Sequence, residues 1–312
     1  MSALVREVAR GDGTLADLEI PYFEAQGARS GPRLCLLAGV HGCEYSSIAA
    51  VVRFMRGLDT EQLAGSVVAV PVVNPESFRG RTPFVSPADG KNLNRCFPGD
   101  PQGTFSDVLA DLVFRRFVEG SDALLDLHGG DMVEALEPFA LYDASPVEER
   151  SLEIARAFGL PWIVRAEASE SPVAGTTSGA AAALGIPAVI AEVGGCGLLE
   201  QHAVEAHMRG IARVLDRLGM MESSPSADGP QYSVDRFVWR RSVHEGWWEP
   251  AAGAGALVAR GELLGTVSNL HGEELERIES PEEGVLLFVT SSPAVAADGL
   301  LLGLGAGISP LG

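Results

Sequence analysis

Residues 36–52, LLAGVHGCEYSSIAAVV, join an apolar run to a histidine at 41, a glutamate at 44 and the start of an amphipathic repeat. The run reads as a strand and the repeat from Ser46 as a helix, so the polar pair stands at a strand-to-helix junction. An ionised carboxylate and an imidazole are costly to bury there unless something pairs with them. The same grammar continues outward. From residue 33 to about 220, short apolar runs alternate with helical patterns, as in a sheet of mostly parallel strands covered by helices on its faces. Strands are expected at Arg33 to Ala38, Val67 to Val73, Ala123 to Leu127, Trp162 to Val164 and Ala188 to Glu192, and helices at Ser46 to Arg56, Ser106 to Val118, Pro146 to Phe158 and His202 to Leu218.

In open parallel sheets, sites form outside the carboxyl ends of the strands, and the reactive side chains of this chain fall there. His41 and Glu44 have H-x-x-E spacing, which lets both converge on one point from a single turn and suits Glu44 as a ligand. ALLDLHGGD places His128 at the end of another strand, before two glycines that turn the chain. Two histidines and a carboxylate with an open fourth position form the ligand set of a catalytic zinc. Asp126, on the same strand face as His128, reads equally as an orienting partner of a ligand imidazole and as a satisfied buried acid. In AVIAEVGGCG, Glu192 ends a further strand and suits the general base for a zinc-activated water, then the acid for a leaving amine. Glu134 and Glu137 are rivals for that role but read as loop carboxylates on a solvated surface.

Residues 74–105 break the pattern, being rich in proline and glycine and without sustained periodicity. A loop that long in a compact domain is usually functional or disordered, and its aromatic and asparagine content favours function. It carries Asn94 and Arg95 side by side, with Arg79 and Arg81 upstream. Arginine suits bidentate recognition of a carboxylate, and a second arginine can stabilise an oxyanion.

The motifs GVHGCE, NLNRCFPG, DLHG and AEVGG, in that order, resemble the succinylglutamate desuccinylase and aspartoacylase family, relatives of the zinc carboxypeptidases. The similarity runs from about residue 33 to the C-terminus. It implies an α/β fold with a zinc-carboxypeptidase-like, mixed and largely parallel sheet flanked by helices, followed by a small C-terminal all-β domain. It also implies one zinc per chain on His41, Glu44 and His128, with Glu192 catalytic and Asn94 and Arg95 gripping a substrate carboxylate. The family's carbonyl-polarising arginine corresponds to Arg79 or Arg81, with Arg81 preferred; the segment from there to Asn94 is longer than in the best-known members. The activity implied is deacylation of a small N-acylated amino acid or related amine that bears a carboxylate. Two alternatives stand beside it: a metallocarboxypeptidase acting on peptide C-termini, and a non-catalytic metal or metabolite-binding protein that keeps the ligand set.

Composition narrows the classes further. At 312 residues and 46% hydrophobic content the chain can bury a sizeable core. A net charge of −19, with one lysine against 22 arginines, argues against nucleic-acid binding. No apolar run reaches the roughly 20 residues of a membrane helix and the N-terminus lacks the features of a signal peptide, so no membrane association and a cytoplasmic location are expected. Homo-oligomerisation stays open. Cys35, Cys43, Cys96 and Cys196 read as reduced thiols, with Cys43 a small core residue. The polar stretch 221–230 reads as a linker between a catalytic domain at 1–220 and a small β barrel or sandwich at 231–312, where turns recur every 8 to 12 residues. In the latter, GWWEP reads more as core than as a binding platform. His202, His207 and His271 read as solvated.

Overall fold

Ten residues that feed the opening junction, Arg29–Ala38, form a strand whose last five residues are all buried. The computed structural model describes residues 2–11, 13–167, 175–222 and 229–312. In chain order its first strands are β1 (Ala3–Arg10), β2 (Glu19–Gln26), β3 (Arg29–Ala38), β4 (Ala64–Val70), β5 (Ala123–His128), β6 (Glu134–Leu136), β7 (Phe139–Asp143), β8 (Trp162–Ala166) and β9 (Ala188–Glu192). The helices are α1 (Tyr45–Gly57), α2 (Pro75–Gly80), α3 (Phe105–Val113), α4 (Glu148–Phe158), α5 (Thr177–Ala183) and α6 (Gln201–Arg217). The helix expected to end at Val118 does so, its last turn, Phe114–Val118, widening to π geometry.

Strands β4, β3, β5 and β9 are parallel neighbours, and β7 returns antiparallel beside β9. Successive residues of β3 point to opposite faces. Leu34, Leu36 and Ala38 pack with α1, α4 and α6 through Val51, Met55, Phe158, Ile211 and Val214. Cys35 and Leu37 pack on the other face with Leu109, Val113, Phe114 and Phe117. Burial on both faces explains why these strands read as unbroken apolar runs. The hairpin β1–β2, which the sequence pattern did not announce, adds to the free edge of β4. Its burial alternates only weakly, because one face is open to water.

The C-terminal segment supplies β10 (Gln231–Arg241), β11 (Gly246–Pro250), β12 (Leu257–Val258), β13 (Leu263–Ser268), β14 (Glu274–Glu279), β15 (Gly284–Thr290), β16 (Ala294–Val295) and β17 (Leu300–Leu311). Strand β10 pairs parallel with β8, and β17, β15 and β12 follow, so a sheet of 13 strands runs through from the N-terminal segment into this one. The tripeptide β6 reaches across to pair with β15. A second sheet, β14-β13-β11-β16, covers the far end and buries Trp248, Leu264, Val267 and Ile278 against Leu286, Leu302 and Leu304. The GWWEP pair divides: Trp248 is a core residue whose Nε1 donates to Thr290 O at 3.0 Å, whereas Trp247 is 45% exposed. Of the expected linker, residues 223–228 lie outside the described residues. Among the described residues no helix is long and apolar enough to cross a membrane.

Candidate active site

The register of the central strands decides where their end residues meet. Ala38 of β3 pairs with Leu127 of β5, and His128 pairs with Glu192 of β9, so three carboxyl ends lie side by side. Glu44 stands at the N-cap of α1, yet its carboxylate caps no helix N–H. It turns instead to the histidines, with Oε1 2.7 Å from His41 Nδ1 and Oε2 3.1 Å from His128 Nδ1. Gly42 makes the turn tight enough, since a Cβ there would lie 2.1 Å from Phe78 N in α2. One ligand atom from each of His41, Glu44 and His128 lies within 4.8 Å of the others.

The opposite ring nitrogens are held from behind. His41 Nε2 is 3.0 Å from Asn92 Oδ1, and His128 Nε2 is 3.1 Å from Asp126 Oδ2. Asp126 is fully buried and also accepts from the Thr177 hydroxyl, which favours its orienting reading. Asn92, which sequence reasoning passed over, lies two residues before Asn94 and its Oδ1 also accepts from Asn94 N at 2.8 Å.

Electrostatics bind the trio together. Burial works to raise the Glu44 carboxyl, but His128 and His41 outweigh it and hold it at about 2. Burial opposes charge on the imidazoles, yet Glu44 lifts His41, and Asp126 with Glu44 lifts His128 well above the ordinary histidine range. Glu44 Oε2 and His128 Nε2 nevertheless have no hydrogen bond of adequate geometry, and both are buried. Buried polar atoms of native proteins are nearly always satisfied, so a carboxylate oxygen left this way between two imidazoles fits a divalent cation.

Glu192 faces this group from β9. Desolvation pushes its carboxyl well above the usual range; His128 opposes the rise, while Glu44, Glu134 and Asp126 add to it. Asn94 is buried in a 3₁₀ turn, Leu93–Arg95, and its Oδ1 accepts from Thr177 N at 3.2 Å. The Arg95 guanidinium is close enough to Glu192 to feel its charge. Arg79 and Arg81 are exposed at the end of α2, Arg81 in a left-handed conformation, and neither bonds to the cluster among the described residues.

Other residues join the site from loops. Asp131 is fully buried, and its carboxylate accepts from Cys43 Sγ at 3.2 Å, from Phe84 N at 2.5 Å and from Met132 N. It thereby ties the turn that carries His41 and Glu44 to the long loop and sets the Phe84 ring 6.2 Å from His41, edge to face. Cys43 is the buried thiol expected, with burial raising its pKa. The two acids expected on a solvated surface are placed otherwise. Glu134 lies against the cluster, its carboxyl raised to about 7 by desolvation, and Glu137 accepts from Trp162 Nε1 at 3.1 Å. His207 is fully buried rather than solvated, with Nε2 3.3 Å from Val193 O, next to Glu192.

The family model described as Succinylglutamate desuccinylase/Aspartoacylase catalytic domain matches residues 30–218. The chain belongs to this family. Among curated relatives, an N-alpha-acetyl-L-2,4-diaminobutyric acid deacetylase of Halomonas elongata is 33% identical over 266 residues, spanning 82% of this chain and 77% of the relative. The structure of a succinylglutamate desuccinylase/aspartoacylase from Rhodobacter sphaeroides is similar with a TM-score of 0.86 and 26% identity, covering 99% of this chain and 96% of that one. A product-bound structure of the ectoine utilization protein EutE (DoeB) from Ruegeria pomeroyi has a TM-score of 0.84 at 24% identity, with coverage of 98% and 95%. The desuccinylase/aspartoacylase family is one of deacylases that act on amides. All four motifs that carry the resemblance in sequence lie within the matched segment. Asn92, Asp131 and Glu134 lie within it too, beyond the reach of motif spacing, because loop contacts place them.

Proposed function

We propose that the protein is a zinc-dependent amidohydrolase that removes the acyl group from a small N-acylated amino acid or related amine. The observation that carries this reading is the buried trio His41, Glu44 and His128, whose Glu44 Oε2, 3.1 Å from His128 Nδ1 but without a hydrogen bond of adequate geometry, fits a cation, with Glu192 paired to His128 across the strand ends. These three residues would hold one zinc. Zinc, when bound, supplies Lewis acidity that polarises a carbonyl and makes water acidic enough to react near neutral pH.

The chain's own residues do the rest. Glu192 takes the proton of the attacking water on its carboxylate and delivers it to the amide nitrogen as the C–N bond breaks, leaving a carboxylate and an amine. Its raised carboxyl suits that double role, since an acid that titrates closer to neutrality can both accept and return a proton. Arg95 and the Asn94 amide group hold a carboxylate of the substrate. Asn94 Oδ1 is engaged by Thr177, so its amide nitrogen is the end that donates. Arg81 is assigned the developing charge on the carbonyl oxygen from the rim of the long loop. Asn92 and Asp126 fix the imidazoles so that Nδ1 of each faces Glu44. The name of the Halomonas relative makes N-α-acetyl-L-2,4-diaminobutyrate the first compound to assay. A cytoplasmic location belongs to the same reading and is supported by four free cysteines.

Elemental analysis of purified protein tests the site directly. About one zinc per chain is expected, lost in His128→Ala. In Glu192→Gln, zinc is retained and turnover falls by roughly 10²–10⁴-fold. Loss of zinc from Glu192→Gln would make that residue structural, and protein that takes up no zinc would overturn the hydrolase reading.

A further inference from the structure

Helix α5 begins beside the turn that carries Asn94 and Arg95, and the two are locked together. Phe97 N donates to Gly175 O at 2.9 Å, and a Cβ at Gly175 would stand 2.4 Å from Arg95 O. Thr176 caps the helix, its hydroxyl accepting from Gly179 N at 3.1 Å. The N–H of Thr177 belongs to the first turn, where no helical carbonyl can receive it. Thr177 is fully buried, so its N–H and its hydroxyl are available to the site rather than to water.

The two groups serve different parts of that site. The N–H donates to Asn94 Oδ1 at 3.2 Å, and the hydroxyl donates to Asp126 Oδ2, behind His128. Asp126 has little else to hold it. Its Oδ1 is buried with no hydrogen-bond partner among the described residues, so the set of the carboxylate against His128 Nε2 depends on that hydroxyl. From Asn94 a second arm runs back to the trio, since its N donates to Asn92 Oδ1 at 2.8 Å and that oxygen lies 3.0 Å from His41 Nε2. Glu44, in contact with both imidazoles, closes the circuit. Polar contacts in such a chain strengthen one another, because each polarises the next. A carboxylate gripped by the Asn94 amide nitrogen makes Oδ1 a better acceptor for Thr177, and an imidazole fixed by a metal gives Asp126 a firmer partner.

We propose that Thr177 is a positioning residue that couples the substrate-carboxylate subsite at Asn94 to the zinc site at His128, so that a bound carboxylate tightens zinc and bound zinc tightens the carboxylate. The inference rests on the hydrolase reading and adds to it a link between two of its parts. The two effects are equal in size, because linkage between binding sites is reciprocal.

The test measures zinc affinity by competition with a chelator, in the presence of saturating L-2,4-diaminobutyrate or of propane-1,3-diamine, the same molecule without its carboxylate, each corrected for the zinc it takes up in solution. Wild type is expected to bind zinc about fivefold or more tightly with the amino acid than with the diamine. Thr177→Val keeps the shape and the N–H but lacks the hydroxyl, and should bring that ratio towards one; Thr177→Ser should preserve it. Thr177→Ala takes the place of Thr177→Val if the latter fails to fold. Asn94→Ala should also abolish the ratio, with Thr177→Val adding nothing to it in the double variant. A merely structural hydroxyl, or direct coordination of zinc by the probe, would leave the ratio unchanged in Thr177→Val, and that result overturns the inference, as does a wild-type ratio of one. Protein that takes up no zinc would fell the hydrolase reading and this inference together, whereas zinc uptake and deacylation without the coupling would fell the inference alone.

Discussion

A histidine enclosed by protein titrates unlike one in water, and His207 shows the consequence for stability. Its burial lowers the pKa from the ordinary 6.5 to about 4, with the carbonyls of Val193 and His128 only partly opposing. Between those values the unfolded chain binds a proton that the folded chain refuses, so stability rises with pH across the window and falls on acidification through it. Two and a half pH units correspond to about 3 kcal/mol, lost progressively from about pH 6.5 down to about pH 4. Urea unfolding at a series of pH values should show this slope, and His207→Asn should flatten it. A slope that survives the substitution would place the titration elsewhere. Legibility at this scale divides by how a residue is held. His41, Glu44, His128 and Glu192 end strands or begin a helix, so spacing and apolar periodicity point to them. Asn92, Asp131, Glu134 and His207 take their roles from contacts between segments far apart in sequence, such as Asp131 with Cys43 and Phe84. No local pattern encodes such contacts.

Helices and strands with a buried face announce themselves, and those without one do not. α1, α4 and α6 carry apolar stripes against the sheet, and the expected helices coincide with them to within a few residues. α5, TSGAAAA, has too little apolar contrast to show a period, and the three residues of β6 are too few to show any. The short α2 lay hidden inside the long loop, yet it braces the turn that carries His41 and Glu44. Asn74 caps it by accepting from Ser77 N at 3.1 Å, and the Ser77 hydroxyl accepts from Gly42 N at 3.2 Å. A methyl at Gly42 must therefore push α2 or the turn aside. Gly42→Ala should weaken zinc binding by roughly tenfold to a hundredfold, as loss of support behind a metal ligand does, measured by competition with a chelator. Unaltered affinity would show that the turn tolerates the shift.

Across the whole molecule, the polar stretch near 221–230 marks a change of grammar in the chain, whereas the sheet crosses it without interruption. β8 and β10 pair directly, and Phe139 and Val164 share a cluster with Val234, Val285 and Leu287. Sequence showed the change from alternating helices to punctuated strands, but strand pairing between distant segments has no local signature. The shared sheet predicts one cooperative calorimetric transition for the full chain. It also predicts that a fragment ending at residue 222 will aggregate, since it would bare the edge of β8 and the apolar side of that cluster. Two separate transitions, or a soluble and folded fragment, would contradict this. The pairing of β6 with β15 has a further consequence in time. At about 5–20 residues per second, a ribosome completes the ligand trio and Glu192 several seconds before it delivers the strand that seats Glu134. A nascent chain therefore possesses His41, Glu44, His128 and Glu192 while the wall beside them is still unwritten, and translation sets the order in which the site acquires its parts.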